Sequence, residues 1–200
     1  MEITSEKVKS LRDKTGAGMM DCKKALAETD GNMDKAVEYL RKKGAATAEK
    51  RADRATNQGV VEAYIHAGGR IGAMVEVNCE TDFVAKTDDF KSLARDIAMQ
   101  IAAMNPQFIM REDVSKETQE KELDIYRTQA RNEKKPDQIV EKIATGKLDK
   151  FFQETCLIEQ TFIKDSGKTI KDLILDITSK TGEKITIRRF QRFHLGENNS

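Results

Sequence analysis

The sequence has no apolar run long enough to span a bilayer, and its first residues lack the apolar stretch that a secretory signal needs. With 34% charged residues it reads as a soluble chain. Cysteine is scarce: Cys22, Cys79 and Cys156 are odd in number, far apart and outside any C-x-x-C spacing. That pattern argues against a disulfide framework and a zinc site, and it suits a reducing cytoplasm. The only histidines are His66 and His194, so a Ser, Cys or Thr nucleophile has few bases to draw on, and Cys79 lies near neither in sequence. Burial as small hydrophobes is the plainer reading of all three cysteines. A charge excess is missing too. Lys and Arg total 35 against 34 Asp and Glu, and a net charge of +1 gives no global field to draw in nucleic acid or an anionic membrane. A partner must be recognised by local shape.

Phosphate-binding loops are also absent. Neither G-x-x-x-x-G-K-[ST] nor G-x-G-x-x-G occurs, so no run of backbone N–H groups is set to converge on a nucleotide. Gly68, Gly69 and Gly72 are the nearest imitation, but they lie between two strand-like runs and read as a hairpin turn. The same run imitates the loop of an RNA-binding KH module without its flanking helices. His66, beside that turn, has no nearby ligand set for a metal; it is either a surface contact residue or an incidental one. One stretch keeps a second class open. Lys184, Arg188, Arg189 and Arg192 with Phe190 and Phe193 form the basic and aromatic mixture that can grip single-stranded RNA. Solvated edge-strand charges are the preferred alternative, because the rest of the chain is charge-balanced.

What the chain does contain is helical periodicity followed by strands. Thr4 or Ser5 can cap a helix carrying Val8 and Leu11, ended by Gly16-Ala17-Gly18. Met20 to Thr29 follows with Ala25 and Leu26 inside; Asp30-Gly31-Asn32 breaks it, and Met33, Ala36, Val37 and Leu40 mark a third helix, stopped at Gly44. Residues 1–44 are thus expected to form a three-helix domain, and 45–57, charged residues among alanines, a helical linker. From there to residue 200 a core domain is expected. It starts with strands Val60 to Ala67 and Ile71 to Asn78, joined at Gly68-Gly69-Arg70. An amphipathic helix runs from Asp88 to Met104, and Asn105-Pro106 ends it.

Residues 111 to 135 hold seven acidic and seven basic side chains, and Pro136 restarts a helix with Ile139, Val140 and Ile143 aligned. Two long antiparallel helices over 111–155, protruding as an arm, are expected. A C-terminal module over 156–200 then holds an apolar run, Cys156 to Ile163, and a helix opened by Thr169 to Asp172 that buries Leu173, Ile174 and Ile177. A strand with Ile185 and Ile187, and a frayed polar tail from Gly196 to Ser200, close the chain. The fold class is α+β: a helical bundle, then an antiparallel sheet with helices and the arm.

Two stretches resemble the translation elongation factor Ts family. Leu11-Arg12-Asp13-Lys14-Thr15-Gly16-Ala17-Gly18-Met19-Met20-Asp21-Cys22-Lys23-Lys24-Ala25-Leu26 is similar to its N-terminal signature, and Glu76-Val77-Asn78-Cys79-Glu80-Thr81-Asp82-Phe83-Val84-Ala85-Lys86 to its core signature. Their order and spacing agree with the family. The resemblance implies that the first 44 residues are a ubiquitin-associated-like (UBA-like) module docking on the GTPase elongation factor Tu, with Met19, Met20 and Lys23 in contact; core packing is an open alternative for Met20. It implies that Thr81, Asp82, Phe83 and Val84 press on the GTPase beside its nucleotide site and loosen Mg²⁺ and the phosphate loop, so that GDP leaves. From pattern alone, Phe83 reads as the first core residue of a helix.

The resemblance further implies a cytoplasmic exchange factor in translation elongation, binding elongation factor Tu in GDP-bound and nucleotide-free states. It is expected to make no bond, hold no metal or cofactor and bind no nucleic acid or membrane. Longer family members carry a duplicated core, with an Asp-Phe wedge in one half and a histidine near a hairpin in the other; here both lie in one core. A homodimer is therefore expected, with the wedge of one copy and His66 of the other serving one GTPase.

Overall fold

The computed structural model describes residues 3–197; the last three residues of the expected frayed tail lie outside them. The elements run α1 (Ser5–Thr15), α2 (Met19–Glu28), α3 (Met33–Lys50), β1 (Gln58–Ile65), β2 (Ile71–Cys79), α4 (Asp82–Ala85), α5 (Asp88–Met104), α6 (Lys116–Asn132), α7 (Asp137–Thr155), β3 (Thr161–Phe162), β4 (Asp165–Thr169), α8 (Ile170–Thr181) and β5 (Thr186–His194). Strands β1, β2 and β5 form one sheet in that spatial order, and β3 pairs with β4. The architecture is α+β, with helices dominating. The chain separates into two compact units: the stretch up to Tyr64 with Met74–Ala98 and Asp172–Gln191, and Ile65–Ala73 with Met99–Lys171 and the stretch from Arg192.

In the first unit the bundle forms where capping and periodicity place it. Thr4 is extended and its Oγ1 accepts from the Lys7 N–H at 3.3 Å, satisfying one of the donors that a helix start leaves open. Gly16, at φ +68°, ends α1 in a left-handed conformation that a side chain would disfavour, and its N–H reaches the Arg12 carbonyl. Val8, Leu11, Cys22, Ala25, Leu26, Ala36 and Leu40 make one closed apolar cluster.

The third helix does not stop at Gly44 but continues to Lys50. Gly44 serves packing instead: it is buried, and a Cβ there would collide with the Ser179 side chain on α8. Arg41 meets Asp172 of α8 at 2.5 Å, so α3 is pinned to that helix along its solvent side as well. A glycine placed for close approach looks, in sequence, like one placed to end a helix. Also in this unit, Val75, Val77 and Cys79 on β2 and Phe90, Leu93, Ala94 and Ile97 on α5 are buried, the two- and four-residue periodicities of a strand and a helix with apolar faces.

The second unit holds the antiparallel pair α6 and α7. Ser115 caps α6, with its Oγ accepting from Thr118 N at 3.1 Å, and Pro136 sits at the N-cap of α7. The buried line on α7 is Val140, Ala144, Leu148 and Phe152, a four-residue spacing; Ile139, expected inside, is 40% exposed. At the base of the pair, Val114, Leu148, Phe152 and Cys156 cluster with Phe108, Leu123, Tyr126 and Phe151 packed around them. The run after α7 is a short 3-10 turn followed by β3, and β4 pairs back on it with Thr161 opposite Thr169 and Phe162 opposite Asp165. Gln100 and Gln160 are buried here, yet satisfied: Gln100 Nε2 donates to Gln160 Oε1 and the Thr161 carbonyl, and Gln100 Oε1 accepts from Ile163 N.

Candidate functional site

Helix α4 is only four residues long, far too short to hold itself together, so its ends must be fixed by neighbours. Thr81, two residues past β2, is extended and caps α4, its Oγ1 receiving the Val84 N–H at 3.5 Å. At the other end the Lys86 N–H returns to the Asp82 carbonyl, and Thr87 Oγ1 donates to the Val84 carbonyl at 2.8 Å. This single turn sorts its side chains. Val84 and Ala85 face inward at 9% and 7% exposure, whereas Phe83 stands 79% exposed. The pattern reading of Phe83 as a core residue is thus corrected: Val84 takes the inward position. Burying a Phe side chain is worth roughly 1.5–3 kcal/mol, and here that gain is left to whatever covers the ring.

The turn is also tied from a distance. Between α8 and β5, Glu183 is half-buried, and its Oε2 accepts from the Glu80 and Thr81 N–H groups at 3.1 and 3.0 Å. The Thr81 hydroxyl donates to Glu183 Oε1 at 2.6 Å. In the opposite direction, Glu80 Oε1 accepts from Lys184 N at 2.7 Å, and Glu80 Oε2 from the Arg54 guanidinium at 3.0 Å. Lys184 Nζ closes the set on the carbonyls of Ala52 and Arg54.

The electrostatics follow these contacts. Asp82 lies 2.6 Å from Lys86 one turn on, and that hydrogen bond holds its carboxyl below its ordinary value; it is ionised and half exposed beside Phe83. Burial, reinforced by the Glu183 carboxylate, pushes the Cys79 thiol up to about 11, and the thiol donates to the Thr81 carbonyl at 3.1 Å. Burial likewise raises Cys22 and Cys156, so all three side chains are protonated thiols near neutral pH. Among the described residues no group of three His, Cys, Asp or Glu is placed to hold a metal ion. No described helix is long and apolar enough to cross a membrane.

The other residues singled out in the sequence lie on different elements. Met19 and Met20, 52% and 74% exposed, open α2, and Lys23 is exposed one turn on. The open alternative of core packing for Met20 therefore falls away; Cys22, Ala25 and Leu26 fill the bundle from that helix. His66 is an exposed residue of the second unit, at the turn joining β1 to β2, where its N–H donates to the Ile71 carbonyl and its carbonyl receives the Gly69 N–H. On β5, Arg189 pairs with Glu76 at 2.8 Å and Arg188 approaches it at 3.8 Å, an arrangement of solvated charges within a sheet. Sequence reasoning missed Glu183, Glu80 and Lys184. Glu80 appeared only within the core signature and Lys184 only within the basic stretch, because the contacts that join them to this turn span more than a hundred residues.

Comparison with known proteins returns one consistent result. The family model described as "Elongation factor TS" matches residues 6–197. The chain is 63% identical to elongation factor Ts of Carboxydothermus hydrogenoformans over 195 residues, covering 98% of this chain and 90% of that protein. It is 59% identical to elongation factor Ts of Moorella thermoacetica, covering 98% and 96%, and 56% identical to that of Thermotoga neapolitana, covering 98% and 99%.

Proposed function

The chain belongs to the elongation factor Ts family, and on that premise we propose that it is a guanine nucleotide exchange factor for elongation factor Tu, acting in the cytoplasm during translation elongation. The observation that carries the reading is the display of Phe83, 79% exposed on a tightly capped turn beside ionised Asp82. An apolar ring on a fixed backbone gains desolvation energy as it enters a partner, and a carboxylate next to it competes for groups that had served Mg²⁺ and phosphate. Asp82 and Phe83 meet the GTPase, while Thr81 and Val84 hold the turn that presents them. Displacement of Mg²⁺ and the phosphate loop then lowers the affinity for GDP. No bond is made or broken.

Exchange of this kind is a coupling free energy. Whatever affinity for GDP the factor removes from the GTPase, GDP removes from the factor. Docking is assigned to the UBA-like bundle of residues 1–44, where Met19, Met20 and Lys23 offer an adaptable apolar patch with a cation beside it. Residues 45–57 link it to the α+β core of 58–200, with the helical pair 111–155 and the module 156–200 as parts of that core.

A second copy completes the account. Within the first unit, β1 leaves Val61 and β2 leaves Met74 as exposed apolar side chains. Two copies pairing through them would give one GTPase the wedge of one copy and His66 of the other. Acceleration of GDP release from purified elongation factor Tu by the full chain tests the function, and sedimentation at the same concentration tests the pairing. An active monomer would refute the pairing alone, whereas unchanged release would refute the exchange reading.

A further inference from the structure

A carboxylate that collects two consecutive backbone N–H groups and a hydroxyl is more than a surface charge. Glu183 does this for the segment that opens α4, with three contacts between 2.6 and 3.1 Å. Its own position is set by Gly182, whose φ of +73° turns the chain out of α8, and by the Thr181 hydroxyl, which accepts the Glu183 N–H at 3.3 Å. The Thr81 hydroxyl is used in both directions, donating to Glu183 and accepting from Val84 N. A continuous chain of hydrogen bonds thus runs from the α8–β5 turn into the first turn of α4, each bond polarising the next. Glu80 returns the favour by receiving Lys184 N, so the two turns exchange carboxylates.

We infer that Glu183 is a positioning residue for exchange: its carboxylate, clasping Glu80 and Thr81, fixes the backbone that presents Phe83. The inference rests on the wedge reading above and deepens it. Without the clasp, a four-residue helix whose inward anchors are Val84 and Ala85 has little to set its orientation, and Phe83 is spread over many directions. Docking through α2 is expected to hold, because the contacts of the Glu183 carboxylate go to Glu80 and Thr81 and not to Met19, Met20 or Lys23. The loss falls on the maximal rate of nucleotide release rather than on the amount of factor needed to reach it.

The test measures release of a fluorescent GDP analogue from elongation factor Tu across a range of factor concentrations, together with amide hydrogen exchange of Glu80 and Thr81. Glu183→Ala is expected to lower the maximal rate about tenfold and to move the half-saturating concentration less than about twofold. The Glu80 and Thr81 amides should lose protection. Glu183→Gln should restore most of the rate, since its one carbonyl oxygen still accepts both amides and its NH₂ donates to Thr81 Oγ1. If Glu183→Ala does not fold, Glu183→Asp decides, by drawing the carboxylate back one methylene from the Glu80 and Thr81 amides while leaving the Thr81 cap on α4 in place: a fall of about threefold supports the clasp and no fall overturns it. A Glu183→Ala rate within twofold of wild type, with Phe83→Ala strongly impaired, overturns the clasp and leaves the wedge standing. A Gln variant as poor as Ala also overturns it, because charge rather than hydrogen-bond geometry would then be at work. If Phe83→Ala releases nucleotide as fast as wild type, the wedge reading fails and the role of Glu183 in exchange fails with it.

Discussion

Phe83 and Val84 are adjacent in the chain and opposite in environment, 79% exposed against 9% on a helix of four residues. Their substitutions should therefore separate function from stability. Val84→Ala removes buried methyl groups and is expected to lower unfolding free energy by about 1–2 kcal/mol. Phe83→Ala should stay within about 0.5 kcal/mol of wild type. Denaturant unfolding of both variants checks this; equal losses would mean that Phe83 packs in the free protein.

The bundle makes a similar division. Leu26 is fully buried in its cluster, and Leu26→Ala should cost about 2–5 kcal/mol. Paired Met19→Ala and Met20→Ala changes should leave stability alone and raise the half-saturating concentration for exchange about five- to tenfold, with the maximal rate unchanged. A fall in maximal rate with no change in half-saturation would place the methionines outside the docking surface.

Just before α6, Arg111 forks onto both oxygens of Glu159, touches Asp149 of α7 at 2.9 Å and lies 4.7 Å above the Phe152 ring. A lysine keeps the charge but neither the fork nor the stacked plane. With the side chains partly solvated, Arg111→Lys should cost about 1 kcal/mol, read by thermal unfolding. A variant as stable as wild type would show that only charge matters there.

Acid should weaken the return contact from Glu80 to Lys184. Hydrogen bonding from Lys184 N, then from Arg54, holds the Glu80 carboxyl below its ordinary value of 4.5. A depressed folded value means that this stabilisation is full above pH 4.5 and is lost as pH falls through the folded value. Wild type should therefore exceed Glu80→Gln in unfolding free energy at pH 7, and the gap should close on acidification. A gap that stays constant down to pH 3 would contradict the assignment.

Much of this architecture was legible because it is written locally. The Thr4 cap, the Gly16 stop and the α5 stripe from Phe90 to Ile101 need only neighbours along the chain, and each is found where spacing put it. Strand β4, Asp165–Thr169, was not legible: it is short and polar, and it is held by pairing with β3 rather than by a buried apolar face. The overrun of α3 past Gly44 had the same cause, since a close contact with Ser179 leaves no trace in the residues around Gly44. At the candidate site the motif pointed to Thr81–Val84, but the pattern turned Phe83 inward, where the structure buries Val84 instead. The turn's long-range contact, from Thr81 N to Glu183, comes from a hundred residues away and leaves no local pattern.

The most direct measurement is the rate of fluorescent GDP release from elongation factor Tu with wild-type chain and with Asp82→Ala combined with Phe83→Ala. The account predicts that wild type speeds release manyfold, and that the double variant binds the GTPase with little change in affinity yet leaves release near its spontaneous rate. Release by the double variant as fast as by wild type would contradict it.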